Sequence, residues 1–82
     1  MESKAAEITS ATNRNILLGI AEKSTTRNAV ARESGIPLTT FNRKLDGHTD
    51  FTLRELGSIA AALDRQLADI LPSELLSPRR VA

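Results

Sequence analysis

Residues 26–47, TRNAVARESGIPLTTFNRKLDG, determine how this chain folds. The first half carries a short apolar series at residues 29–31, and Thr26 offers a hydroxyl that can cap the N-terminus of a helix. Gly35 follows this series, and a glycine can take a positive φ without a Cβ penalty, which suits the position just past a helix end. These residues predict a helix that begins after Thr26 and ends before Gly35.

The second half of the same stretch predicts another helix with two different faces. Pro37 fixes φ at a value suited to the first helical turn. Phe41 and Leu45 follow at a spacing of four, which places both on one stripe that must pack against other helices. The outer face carries mostly polar side chains: Leu38, Thr39, Asn42, Arg43 and Asp46. Two short helices joined by a tight turn, with such an outer face, indicate a DNA-binding helix-turn-helix at about 26–46.

The segment before this motif predicts one helix. Hydroxyl side chains at Thr9 or Ser10 can cap its free N–H groups. The helix is therefore expected to begin there, and residues 1–8 are expected to form a flexible N-terminus. Its apolar positions, which predict a broad buried stripe, are Leu17, Leu18, Ile20 and Ala21, flanked by Ala11 and Ile16.

A fourth helix is expected after the motif. Thr52 and Glu55 have the spacing of a capping box, which would open this helix. Phe51 precedes the box, where a hydrophobic staple to Leu56 would fix the direction in which the chain enters the helix. The helix is expected to end at about Leu63. Its expected buried residues are Leu53, Leu56, Ile59, Ala60 and Leu63.

The whole pattern predicts an all-α fold, a compact bundle of about five short helices. The fifth helix is expected at about residues 66–71. In this interpretation residues 9–71 form the domain and residues 72–82 form a C-terminal tail. Leu75 and Leu76 in this tail are either final core residues or a dimer patch.

Composition argues against several classes of function. There is no cysteine, so neither a disulfide framework nor a thiolate zinc site is available. The one histidine, His48, has no second metal ligand near it, the acids are scattered, and no glycine-rich phosphate loop occurs. We therefore expect no enzymatic activity, no metal and no cofactor. No apolar run approaches the roughly 20 residues that span a bilayer, and the N-terminus has no secretory apolar region.

Charge is distributed unevenly along the chain. The net charge of +1 argues against a polybasic protein that coats nucleic acid. Residues 24–47 nevertheless carry an excess of +2, from four cations and two carboxylates: Arg27, Arg32, Arg43 and Lys44 against Glu33 and Asp46. A locally positive face on a near-neutral protein fits a reader of DNA sequence.

Residues 26–71 resemble the helix-turn-helix family of phage repressors and Cro-type regulators, whose domains are lambda-repressor-like. The residues that carry the resemblance follow the family's order: Thr26-Arg27, Val30-Ala31, Gly35-Ile36, Phe41, Leu45, Gly47, Thr52-Leu53, Leu56, Ile59-Ala60 and Ala62-Leu63. The resemblance implies a sequence-specific regulator of transcription that reads the major groove of double-stranded DNA with the helix at about 38–45. It also implies a double-stranded operator as partner, bound by a monomer or a weak homodimer. The implied location is the cytoplasm of a bacterium or of a phage-infected host cell.

The resemblance further implies which residues meet DNA. The expected base contacts come from the second helix of the motif: Leu38, Thr39, Thr40, Asn42 and Arg43. The expected phosphate contacts come from helix N-termini and from the loop after that helix: Arg27, Asn28, His48, Thr49 and Thr52. Arg43 can donate two parallel hydrogen bonds to a guanine. A merely solvated side chain is the alternative for Arg43, and a surface position near Glu33 is the alternative for Arg27.

Two features depart from the family's pattern. Pro37 and Leu38 stand where many relatives have glutamine or serine, and a leucine cannot read a base by hydrogen bonding. Lys44 stands where an apolar residue is common. Its stem is therefore expected along the edge of the core, with the ammonium group in solvent.

Two other functions are compatible with the same scaffold. One is a protein-interaction or antitoxin-type module whose C-terminal leucines bind a partner chain. The other is an excision or recombination accessory protein, which would bind DNA through the same face. A complex that survives high salt and needs Leu75 and Leu76 but not Arg43 would favour the interaction module.

Overall fold

The computed structural model of the chain describes residues 4–72 and contains five α-helices. They are α1 (Lys4–Lys23), α2 (Arg27–Ser34), α3 (Leu38–Leu45), α4 (Leu53–Ala62) and α5 (Leu67–Ile70). No β-strand occurs within 4–72. The predicted all-α class and the predicted number of helices are confirmed, and α2 and α3 form the helix-turn-helix. Leu75, Leu76 and the rest of the predicted tail lie outside the described residues, apart from Pro72.

One apolar core holds the five helices together. Each helix contributes one side chain that is completely buried: Ile16, Val30, Phe41, Ile59 and Ile70. Around these lie further buried aliphatic residues, and Phe51, Leu67 and Leu71 pack against the cluster from its edge. Because α3 supplies Phe41 and Leu45 to this core, its inner stripe fixes which side of the helix is left for solvent.

The first helix begins earlier than its sequence suggested. The predicted start at Thr9 or Ser10 is wrong, because α1 begins at Lys4 and residues 4–8 are helical. Ala5, Ala6 and Glu7 are all good helix formers and extend the helix toward the N-terminus. Residues 1–3 lie outside the described part of the chain.

The buried face of α1 also differs from the prediction. Leu17 and Leu18 are exposed over 40% and 52% of their surface, whereas Ile16 and Ile20 are buried. The stripe of Ile16 and Ile20 continues through Thr12, whose hydroxyl donates to the carbonyl of Ile8 at 2.8 Å. A polar residue can therefore occupy the core-facing side, because its hydrogen bond is made inside the helix.

The fourth helix opens as predicted but buries fewer residues. Thr52 Oγ1 accepts from the N–H of Glu55 at 3.0 Å, and the Glu55 carboxylate accepts from the N–H of Thr52 at 2.8 Å. This reciprocal pair confirms the capping box. Leu53 was predicted in the core, yet it is 66% exposed. It is the first residue of α4, and Phe51 packs against the core instead, its ring 5.7 Å from that of Phe41.

Two glycines give a matched test of packing. A Cβ built on Gly57, inside α4, meets no atom within 4 Å, whereas a Cβ on Gly19, inside α1, would lie 2.9 Å from Cδ1 of the buried Leu63. Gly57→Ala is expected to raise the free energy of unfolding by about 0.5–1 kcal/mol, because alanine is the better helix former. Gly19→Ala is expected to lower it, because the added methyl group would force the buried Leu63 side chain to shift within the core. Urea denaturation followed by circular dichroism measures both, and equal gains would contradict the close approach of α1 to Leu63.

Candidate nucleic-acid interface

The turn between α2 and α3 is fixed by local hydrogen bonds. Thr26 accepts from the N–H of Ala29 at 3.1 Å, which confirms it as the N-cap of α2. Gly35 ends α2 in the left-handed region at φ +77°, as predicted. The N–H of Ile36 then donates to the carbonyl of Ala31 at 2.9 Å and turns the chain toward α3. Interactions between residues that are close in sequence therefore determine where α2 ends and where α3 begins.

The second helix of the motif has one buried face and one exposed face. Phe41 and Leu45 are buried. On the other side, Leu38 is 40% exposed, and Thr39 and Arg43 are also exposed. The remaining two predicted base-contacting residues, Thr40 and Asn42, are half-buried. The five predicted base-contacting residues thus lie on one helix, whose inner side is anchored in the core, and their contact with bases stays a prediction.

A polar cluster links the N-terminus of α2 to α3. The Nη1 group of Arg27 donates to Oδ1 of Asn42 at 3.2 Å, and it lies 3.5 Å from Oδ1 of Asp46. The partners of Arg27 are therefore Asn42 in α3 and Asp46 at the C-cap of that helix, and not Glu33. The guanidinium of Arg27 thus contacts two side chains that are one helical turn apart, Asn42 and Asp46.

Comparison with known families decides the class of this domain. The chain matches the model of the Cro/C1-type HTH DNA-binding domain over residues 15–74. The chain belongs to this family. The match includes α2, α3, α4 and α5 completely, and it confirms the predicted resemblance. Searches of curated proteins and of solved structures gave no match to this chain.

The phosphate-contacting residues predicted for this Cro/C1-type domain lie at three places in the fold. Asn28 is in the first turn of α2, and His48 and Thr49 are in the turn after α3. Thr52 is the N-cap of α4, where its hydroxyl oxygen accepts a backbone hydrogen bond and its hydroxyl hydrogen can still donate. All four are exposed, whereas Arg27 is half-buried against α3.

One exposed cation of the domain is not among the residues predicted to contact DNA. Arg54 is exposed in the first turn of α4, two residues after the N-cap Thr52. An exposed arginine beside free backbone N–H groups suits a phosphate oxygen. The capping box of Thr52 and Glu55 could have identified this residue, because it places Arg54 in the first turn of a helix.

Ion pairing reduces the free positive charge of the motif. Nζ of Lys44 lies 2.7 and 2.9 Å from the two carboxylate oxygens of Glu55, and the Lys44 side chain is only 15% exposed. The prediction that its ammonium group lies in solvent is therefore wrong, because α4 brings a carboxylate to it. Arg27 is similarly close to Asp46. The side chain of Arg43 has no hydrogen bond or ion pair within the described residues and remains free to bind.

The ion pair with Lys44 also lowers the pKa of Glu55. Partial burial opposes ionisation, but hydrogen bonds from Lys44 and Thr52, together with the charge of Lys44, outweigh it and hold the pKa of Glu55 below its ordinary value. Glu55 is therefore ionised at neutral pH and joins α3 to the N-terminus of α4.

The described residues of the Cro/C1-type domain form neither a metal site nor a membrane span. Within residues 4–72 no group of three or more histidine, aspartate or glutamate side chains could hold a metal ion. None of the five described helices is both long enough and apolar enough to cross a membrane.

Proposed function

We propose that this domain is a sequence-specific regulator of transcription, of the phage repressor or Cro type, which reads the major groove of an operator with α3. The observation that carries the proposal is the division of α3 into two faces. Phe41 and Leu45 hold it to the core, and Leu38, Thr39 and Arg43 are exposed on its other side. The major groove of B-DNA is wide enough to admit such a helix.

The exposed side chains of α3 supply three kinds of base recognition. Arg43 carries an unpaired guanidinium, which matches the O6 and N7 acceptors of guanine with two parallel hydrogen bonds. Thr39 can donate or accept a hydrogen bond, and Leu38 can contact the methyl group of thymine. An apolar residue at the start of α3 therefore still contributes to sequence preference.

Phosphate contacts would orient α3 in the groove. The first turns of α2 and α4 carry backbone N–H groups without helical partners, and these attract anionic oxygens. Asn28 and Arg54 extend this donor set as side chains, and His48 and Thr49 add donors from the turn after α3. Such contacts fix the register of the protein on the duplex but carry no sequence information.

Arg43→Ala is expected to lower affinity for the selected operator by about 1–3 kcal/mol and to relax preference at one base pair. The physical reason is the loss of a bidentate pair with guanine. The measurement begins with selection from random duplexes by the full chain, sequenced for a motif. Binding of the selected and a scrambled duplex is then titrated at two salt concentrations.

Arg14→Ala is the matched control for this experiment. Arg14 is an exposed arginine of α1, outside the helix-turn-helix, so its removal changes the net charge by the same amount. We expect this variant to keep the motif of the natural chain. Equal binding of selected and scrambled duplex by the natural chain would refute the proposed function.

A further inference from the structure

The side chain of Asn42 is shared between α2 and the DNA-facing side of α3. Its amide oxygen accepts a hydrogen bond from Arg27 at 3.2 Å. Arg27 stands at the first position of α2, and the same nitrogen lies 3.5 Å from a carboxylate oxygen of Asp46, one turn beyond Asn42. The arginine is therefore held between one acceptor in α3 and one at its C-cap, and its own position is restricted.

The chemistry of arginine decides the orientation of this amide. A guanidinium has five N–H donors and no acceptor, so only the oxygen of Asn42 can face it favourably. With the oxygen directed toward Arg27, the NH₂ group is the end of the amide that is turned away from α2. A base edge that approaches Asn42 from the groove then meets N–H donors first.

This orientation changes which base an asparagine can read. An unrestrained asparagine pairs with adenine, because its oxygen accepts from N6 and its nitrogen donates to N7. For Asn42 that pairing requires the oxygen to turn toward the base and to weaken its charge-assisted bond with Arg27. Guanine presents two acceptors, N7 and O6, and needs donors only.

We propose that Arg27 determines the base preference of Asn42: by engaging the amide oxygen it directs the N–H donors to the DNA and favours guanine over adenine. Arg27 is a positioning residue in this scheme, and Asn42 makes the contact. The inference rests on the proposed function, because it assumes that α3 lies in the major groove. It differs from the expected phosphate contact of Arg27, which predicts no change in sequence preference.

Selection from random duplexes tests this inference with four variants. Asn42→Ala identifies the base pair that Asn42 reads, because preference is lost there alone. The natural chain is expected to select guanine at that position. Arg27→Ala is expected to move the preference toward adenine by about tenfold, since the oxygen is then free to turn. Arg27→Lys is expected to keep guanine, because an ammonium group also donates to the oxygen.

Asn42→Asp provides the variant that retains the bond to Arg27. A carboxylate accepts from the guanidinium but offers no N–H donor, so the preferred base is expected to change from guanine to cytosine, whose N4 group donates. Circular dichroism of each variant confirms that it is folded. If Arg27→Ala unfolds the chain, the base that the natural chain selects at the Asn42-dependent position is the decisive result, because an asparagine whose oxygen is not held by Arg27 selects adenine.

The outcomes separate the two proposals. A recovered motif with adenine at the Asn42-dependent position of the natural chain overturns the role of Arg27 and leaves the proposed function intact. The same holds if no position depends on Asn42, or if Arg27→Ala leaves the preferred base unchanged. Failure of the natural chain to select any motif overturns the proposed function and this inference together.

Discussion

Phe41→Ala is expected to lower the free energy of unfolding by about 3–5 kcal/mol, which is the usual cost of removing a buried aromatic ring. Phe41 is completely buried and belongs to α3. Its ring also meets that of Phe51 edge to face, with centroids 5.7 Å apart. Native proteins have only about 5–15 kcal/mol of stability, so a large part of this margin would be lost. Urea denaturation followed by far-ultraviolet circular dichroism measures the change.

Leu53→Ala is the control for this prediction. The side chain of Leu53 is 66% exposed, so its removal is expected to change stability by less than about 0.5 kcal/mol. The periodicity of the sequence places Leu53 in the core, whereas the structure does not, so the pair of variants also tests the fold. Comparable losses for Leu53→Ala and Phe41→Ala would show that the core is assigned wrongly.

The helix-turn-helix could be predicted because its determinants are local. Thr26 caps the N–H three residues later, and Gly35 takes a positive φ that needs no distant partner. The capping box joins Thr52 to Glu55 over three residues. Each of these interactions connects neighbours in sequence, so residue type and spacing were enough to place the bounds of α2, α3 and α4 within a residue or two.

The buried face of α1 could not be predicted, because distant groups decide it. Asn13 is buried, and its amide donates to the carbonyl of Lys44 at 3.2 Å, 31 residues along the chain. Asn15 donates to the carbonyl of Ile70 at 2.7 Å, 55 residues away. Hydropathy assigns such asparagines to solvent and Leu17 and Leu18 to the core. In the structure these two asparagines instead face the other helices, where the carbonyls of Lys44 and Ile70, near the ends of α3 and α5, accept their hydrogen bonds.

The candidate interface could be predicted only in part. The outer face of α3 followed from the spacing of Phe41 and Leu45, since the residues between them must point elsewhere. The bond from Arg27 to Asn42 did not follow, because it depends on how α2 and α3 are packed. From sequence alone, the alternative to a phosphate contact was a surface position of Arg27 near Glu33, on the same helix.

Lys44→Met is expected to destabilise the domain by about 1–3 kcal/mol at neutral pH. The methionine keeps the apolar stem but removes the ammonium group, which leaves the Glu55 carboxylate, only 23% exposed, without its cation. Glu55→Gln retains an oxygen for the N–H of Thr52 and removes only the charge. In the double variant neither charge is left unpaired, so its loss of stability is expected to be smaller than the sum of the two single losses.

The same ion pair predicts how stability depends on pH. The pKa of Glu55 is lower in the folded chain than in the unfolded chain, because the hydrogen bonds and charge of Lys44 outweigh the effect of burial. Its contribution is therefore complete above the glutamate pKa of the unfolded chain, and it is lost as the pH falls through the lower folded value. Urea titrations measure this pH dependence. They compare the natural chain with Lys44→Met at neutral pH and at a pH below the ordinary pKa of glutamate. The stability difference between them is expected to shrink in acid, because a protonated Glu55 no longer needs the cation. A difference that stays constant across this range would show that it does not come from the ion pair between Lys44 and Glu55.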